Sequence, residues 1–319
     1  MKSPANKMSE SYHILEKPSS KLETAYFGMN PFTIEYDSDK TDEQLIRDIQ
    51  HGDRQALEEL LLKHQPYIYN IAWKMVRDPQ DAADLTQEAM IKITVSLSKF
   101  KFKSTFRTWA YRIVVNHFLD ASKKRNEIAI NSFDDMGSAL HNTPDVELSP
   151  LEREEKQEYI REMNLMCMSG MLLCLTREQR LVYIIGEMFG ANHTIGSELL
   201  GLSKDNFRAK LKKSRKDIHH FMNNQCGLVN KSNPCRCHKK VTFALNNKHI
   251  DAKHLLHNRA EYSSFKAQIR TDADKMIDWV DEKYAELYQG MTFKKDFDKK
   301  IFIREIMDDA LVRNKLHLN

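Results

Sequence analysis

Apolar side chains recur at helical spacing along most of this chain. Ile68, Ile71, Ala72, Met75 and Val76 repeat at intervals of three and four, and so do Ala82, Leu85, Ala89, Ile93 and Leu97. Such stripes are what a helix turns toward a core. Asp78-Pro79 separates the two helices. Thr41, followed by Asp42, Glu43 and Gln44, carries the polar cap and early acids of a helix start. A third helix is expected from about Thr105 to Lys124, with Phe106, Trp109, Ile113 and Leu119 among its apolar positions. The pattern lapses over 126–150, where Asn, Ser, Asp and Pro144 gather, and Ser149-Pro150 then opens an acidic stretch from Leu151 to Glu158. Helices are expected near 151–169, 176–189, 192–200 and 203–222, the last two joined only by Gly201-Leu202, a joint that suggests helix-turn-helix. Further along, Ile277, Val280, Tyr284 and Leu287 mark one helix, and Ile303, Ile306, Met307 and Ala310 another.

This periodicity predicts an all-α chain in segments. Residues 1–41 read as a flexible tail, 42–126 as a first helical domain, 127–150 as a flexible linker and 151–223 as a second domain. Residues 224–240 form a cysteine-bearing segment and 241–319 a helical extension. A length of 319 residues suits two or three small domains. A 29% share of charged residues with only 10 Gly and 8 Pro favours helices over sheets. No run of about 18 apolar residues appears, and the N-terminus lacks a basic start followed by an apolar stretch, so neither membrane insertion nor export is expected. The cysteines number 5, an odd count, and three crowd between 226 and 237, which suits a reducing cytoplasm better than a disulfide framework.

The net charge of +4 is small, and its distribution says more. Between Lys99 and Arg125 stand Lys99, Lys101, Lys103, Arg107, Arg112, Lys123, Lys124 and Arg125 against the single acid Asp120, interleaved with Phe100, Phe102, Phe106, Trp109, Tyr111 and Phe118. Cations release counterions from phosphates, and aromatic faces stack on unpaired bases at roughly 1–3 kcal/mol per base, a mixture suited to melting DNA. Part of the aromatic set must also be core. A second patch, Ser203 to Lys216, sets Lys204, Arg208, Lys210, Lys212, Lys213, Arg215 and Lys216 against Asp205 alone, with Ser203 placed to cap the helix. A basic helix directly after a tight turn fits a recognition helix in the major groove.

Asp84, Gln87 and Glu88 share one helix face. The run Asp81-Ala-Ala-Asp84-Leu-Thr-Gln87-Glu88, then Phe106-Arg-Thr-Trp109-Ala-Tyr-Arg112-Ile, then Asn116 and Asp120, resembles region two of the extracytoplasmic-function sigma factors of bacterial RNA polymerase. Leu175-Thr-Arg-Glu-Gln179-Arg180, Leu200-Gly-Leu-Ser203 and Arg208-Ala-Lys-Leu211-Lys-Lys-Ser-Arg215 resemble that family's region four. The resemblance covers roughly Asp42 to Phe221, and the linker leaves no room for region three of the vegetative sigma factors.

The resemblance implies a non-enzymatic subunit that binds core polymerase, recognises promoter DNA and promotes strand opening. Asp84, Gln87 and Glu88 would dock on the clamp helices of the largest polymerase subunit. Phe100, Lys101, Phe102, Lys103, Phe106, Arg112 and Asn116 would meet the minus-ten element, where a flipped base is held. Ser203, Arg208, Lys210, Lys212, Lys213 and Arg215 would meet the minus-thirty-five element as duplex. An anti-sigma factor is a further candidate partner. Gly196 and Ser197 depart from the family pattern, and since a helix-interior Gly costs about 1 kcal/mol, the helix before the turn is expected to be shortened or shifted. The alternative function is a helix-turn-helix regulator that acts without polymerase docking.

No cofactor is required by this reading. Cys226, Cys235, Cys237 and His238 nonetheless place three thiols and an imidazole within one short span, a donor set for structural or sensory Zn or Cu. Buried cysteines also serve simply as small apolar groups, which is the reading taken for Cys167 and Cys174. A metal-dependent enzyme built on those four ligands lacks a nearby general base. From its position, the extension 241–319 is expected to control access to polymerase or DNA in place of a separate anti-sigma partner.

Overall fold

The computed structural model describes residues 31–32, 39–76, 78–121, 132–253, 255 and 299–316. The tail 1–30 and the helix expected around 277–287 lie outside the described residues. Among the described residues the chain is all-α, with only an isolated bridge between Cys226 and Cys235.

Four helices form the first unit: α1 (Asp42–Gln50), α2 (Arg54–Val76), α3 (Pro79–Ser96) and α4 (Phe106–Ala121). Polar caps set their starts. The Gln44 N–H donates to Thr41 Oγ1 at 3.2 Å and the Thr41 N–H to Gln44 Oε1 at 2.8 Å, a reciprocal box that satisfies two helix-end donors. Asp78 accepts from the Asp81 N–H at 2.9 Å, and Pro79 follows in the first turn, where its missing N–H costs nothing. The long α2 and α3 pack side by side with α1 and α4 across them. Leu57, Leu60, Ile68, Ile71 and Met75 of α2 meet Leu85, Ala89 and Met90 of α3 and Tyr111, Val114 and Phe118 of α4, all fully buried.

The second unit holds α5 (Phe133–Asn142), α6 (Pro150–Glu155), α7 (Gln157–Leu173), α8 (Arg177–Tyr183), a π turn at Ile184–Met188, α9 (His193–Leu200) and α10 (Lys204–Gln225). The linker segment thus carries a helix of its own: Ser132 caps α5, and Met136 is buried. After α10, α11 (Cys237–Asn246) packs on α7 through Met163, Val241 and Ala244. Two late helices, α12 (Lys299–Asp308) and α13 (Ala310–Leu316), lie on α2 and α3.

The two units, expected as beads on a flexible tether, are packed against each other. Helix α9 rests on α4, and α7 and α8 touch α2. Buried Arg180 anchors this junction: its guanidinium donates to the carbonyls of Leu172 at 2.9 Å, Leu173 at 3.0 Å, Leu175 at 3.2 Å and, across the junction, Met75 at 2.5 Å. Arg177 likewise donates to the Phe118 carbonyl of α4.

Candidate nucleic-acid interface

The aromatic loop before α4 is built around its own rings. The Phe100 ring centroid lies 4.9 Å from Phe102 and 5.1 Å from Trp109, and that of Phe106 lies 5.9 Å from Trp109. Phe100 and Phe106 are buried, at 4% and 3% exposure, and join the core of the first unit, so two of the side chains assigned to DNA are packing residues here. Phe102 is half-buried, with its backbone in the left-handed region at φ 56° and the Arg47 guanidinium 4.5 Å over its ring. A bulky residue adopts that conformation only when its surroundings impose it, and such residues cluster at functional loops. Lys101 and Lys103 are exposed on either side of it. Arg112 and Asn116, one turn apart on α4, are exposed as well.

A buried ion cluster holds the base of α4. Asp42 carboxylate oxygens lie 3.0 Å from Lys63 Nζ, 3.2 Å from His64 Nε2 and 3.5 Å from Arg107 Nε. Burial pushes the Asp42 carboxyl up, but the hydrogen bonds and charges of His64 and Lys63 outweigh it and hold it far below the ordinary carboxylate range. Burial pushes His64 below its ordinary range, against the hydrogen bond and charge of the Asp42 carboxylate, which pull it up. The His64 ring meets Phe106 edge-on, with centroids 5.1 Å apart. Arg107, part of the basic count in the sequence, therefore acts as a tether between α1, α2 and α4. The signal for it was Asp42 in a capping turn, whose partners sequence spacing does not reveal.

The polar triad of α3, Asp84, Gln87 and Glu88, is split in its surroundings. Asp84 and Gln87 are half-buried, with Gln80 donating to Asp84 at 3.1 Å. Glu88 is exposed and pairs at 3.3 Å with His117 of α4, whose other ring nitrogen lies 2.7 Å from Lys92 Nζ.

In the second unit, α9 and α10 form the expected helix-turn-helix. Thr176 and Gln179 box the start of α8, and Gly201 at φ 65° ends α9 in the left-handed conformation that a side chain resists. The helix before the turn is not cut short at Gly196: it runs His193–Leu200, because a Cβ at 196 would overlap the ring of Phe207, itself 1% exposed. The glycine lets the two helices close on each other. Ser203 caps α10 by accepting from the Asn206 N–H at 3.1 Å. Arg208, Lys212 and Lys213 are exposed along α10, Lys213 reaching Asp217 at 3.0 Å and Arg208 reaching Asp205 at 2.9 Å. Lys210 and Arg215 are not laid open in the same way. Lys210 pairs with Glu178 at 2.8 Å, and Arg215 pairs at 2.6 Å with the buried Glu187, because each faces α8 and its π turn.

The cysteines do not form a ready metal centre. Cys226 and Cys235 are bridged through backbone, with the Gly227 N–H donating to the Cys235 carbonyl at 3.1 Å. Burial raises the Cys226 and Cys235 thiols, and raises Cys237 further, with Cys167, Cys226 and Cys235 adding to it. Burial lowers His238, whose charged neighbours are Arg153, Glu147, Lys239 and Arg236 rather than the thiols. Among the described residues no three His, Cys, Asp or Glu side chains converge on a point that could hold an ion. The Zn or Cu set of Cys226, Cys235, Cys237 and His238 therefore does not fit as arranged. No helix of the described residues is long and apolar enough to cross a membrane.

A family model described as Sigma-70 region 2 matches residues 60–128. Among curated proteins, the RNA polymerase sigma-H factor of Pseudomonas aeruginosa is 43% identical over 75 residues, 24% of this chain and 39% of that protein. The ECF RNA polymerase sigma factor SigE of Mycolicibacterium smegmatis is 23% identical over 175 residues, 54% of this chain and 64% of that one. The ECF RNA polymerase sigma-E factor of Escherichia coli K12 is 26% identical over 187 residues, 56% of this chain and 92% of that protein. The chain thus spans less than two thirds of the length of the first two.

Proposed function

We propose that the chain is an extracytoplasmic-function sigma factor, which binds core RNA polymerase in the cytoplasm, recognises two promoter elements and promotes strand opening. The observation that carries the proposal is the set of exposed polar side chains formed by Lys101 and Lys103 in the loop before α4 and by Arg112 and Asn116 on α4, all within the residues that match region 2. It joins backbone-neutralising cations to an amide that can hydrogen-bond an unstacked base, with the strained Phe102 between them. Arg208, Lys212 and Lys213 provide a second, duplex-facing surface on α10. Asp84, Gln87 and Glu88 are the proposed contact with the clamp helices, and no residue is given a catalytic role. Two weak DNA contacts on one chain raise each other's effective concentration. Because α9 rests on α4, spreading the two surfaces along one promoter requires that contact to open. An anti-sigma protein is a further candidate partner. The test is run-off transcription by purified core polymerase with this chain and with its D84A/Q87A/E88A form. Initiation by the native chain and its loss in the triple variant support the reading. Duplex binding without initiation under any condition would move it to a regulator that works without polymerase.

A further inference from the structure

Helices α12 and α13 fall outside the stretches that resemble the sigma regions, yet most of their apolar side chains are buried, with Ile301 and Leu311 left exposed. Phe302, Ile303, Ile306 and Met307 of α12 and Val312 and Leu316 of α13 are each at most 7% exposed. They join the same core as α2 and α3, against which both helices lie. The spacing of these residues makes two short amphipathic helices with one apolar side and charged outer positions such as Arg304, Glu305 and Lys315. Asp309 starts α13 by accepting from the Leu311 N–H at 2.9 Å. A polar link joins α12 to α2, Arg54 to Asp308 at 3.3 Å, with both side chains nearly half exposed, and an exposed pair of that kind adds little. The attachment is therefore apolar and helical, the kind of contact another helical pair can replace.

Part of the surface they occupy belongs to α3, the helix that also carries Asp84, Gln87 and Glu88. We propose that residues 299–316 act as a tethered competitor for the polymerase-facing side of α2 and α3, holding the chain in a form that core polymerase must displace. The inference rests on the sigma reading above and adds to it the identity of the occupant, a segment of the same chain in the place of a separate inhibitor. Tethering supplies the high effective concentration that two short helices would lack in trans. Core polymerase then binds only the fraction of molecules in which the pair has lifted, and its apparent affinity falls by that fraction.

Two measurements test this on the full chain. The first compares binding of core polymerase to the native chain and to an I303E/I306E variant whose fold is checked by its melting transition. About tenfold tighter binding by the variant, reversed by a synthetic 299–316 peptide, is expected. The second follows amide hydrogen exchange of 299–316 in the native chain with and without core polymerase, and needs no variant. Faster exchange of α12 and α13 on binding is expected. Equal affinities with unchanged exchange in the bound chain would overturn the competitor. Failure of the native chain and the variant alike to bind core polymerase, with the fold intact, would overturn the sigma reading and the competitor with it.

Discussion

Helices α4 and α10 carry similar runs of basic residues and place them differently. On α4, Arg107 is drawn inward to Asp42 while Arg112 and Asn116 stand open one turn apart. On α10, Lys210 and Arg215 are tied to Glu178 and Glu187 of the neighbouring helix and turn, and the outer line of Lys204, Arg208 and Lys212 is left exposed. A count of positive charge therefore overstates the DNA-facing surface of both helices. What separates architecture from interface is whether a carboxylate from another helix lies within about 3 Å, where a charge-assisted hydrogen bond forms.

The largest effect is expected at the junction between the two units. Arg180→Met removes a buried guanidinium that four carbonyls hold, and should cost on the order of 4 kcal/mol in urea unfolding. A loss below about 1 kcal/mol would mean that the units are not joined through it. Next, Arg215→Ala should cost about 2 kcal/mol, because the Glu187 carboxylate it pairs with is buried, whereas Lys212→Ala should stay within about 0.5 kcal/mol. Equal losses would erase the distinction between tied and open basic residues. Gly196→Ala should cost about 1–3 kcal/mol through overlap with Phe207, and Phe207→Leu should restore part of it.

Acidification offers a milder probe of the α4 base. Burial holds His64 below its ordinary range in the fold, while the unfolded chain takes up a proton from about pH 6.5 downward. Stability is therefore complete above that range and falls as pH drops, and the depressed Asp42 carboxyl adds a further loss in stronger acid. His64→Gln should flatten the upper part of that decline in urea midpoints taken from pH 7.5 to 5, and an unchanged slope would exclude His64 as its source. The smallest expected change is in DNA binding by Arg112→Ala, which should lower the salt dependence by about one phosphate contact at unchanged stability.

Much of this was legible in the chain itself. The stripes Ile68 to Val76 and Ala82 to Leu97 mark α2 and α3, and Gly201-Leu202 marks the turn between α9 and α10, because helical period and cap chemistry are local properties. What was not legible depends on partners distant in sequence. Phe100 and Phe106 read as stacking residues because aromatic rings beside lysines look the same whether they face a base or each other. Gly196 read as a defect because its reason is the Phe207 ring on the next helix. Helix α5, inside a stretch rich in breakers, needed Ser132 and the burial of Met136 to form. His238 looked like a ligand by spacing, yet the Cys237 thiol is raised first by burial and then by Cys167, from a helix far earlier in the chain, together with Cys226 and Cys235.

The central claim, that this chain opens promoter DNA with the polar face of α4, is tested most directly by permanganate reactivity of thymines on a promoter template with core polymerase. The account predicts reactive, unpaired thymines upstream of the start site only when the native chain is present, and their loss with the R112A/N116A variant at unchanged core binding. Reactive thymines persisting undiminished in that variant, or a fully paired duplex with the native chain bound, would contradict it.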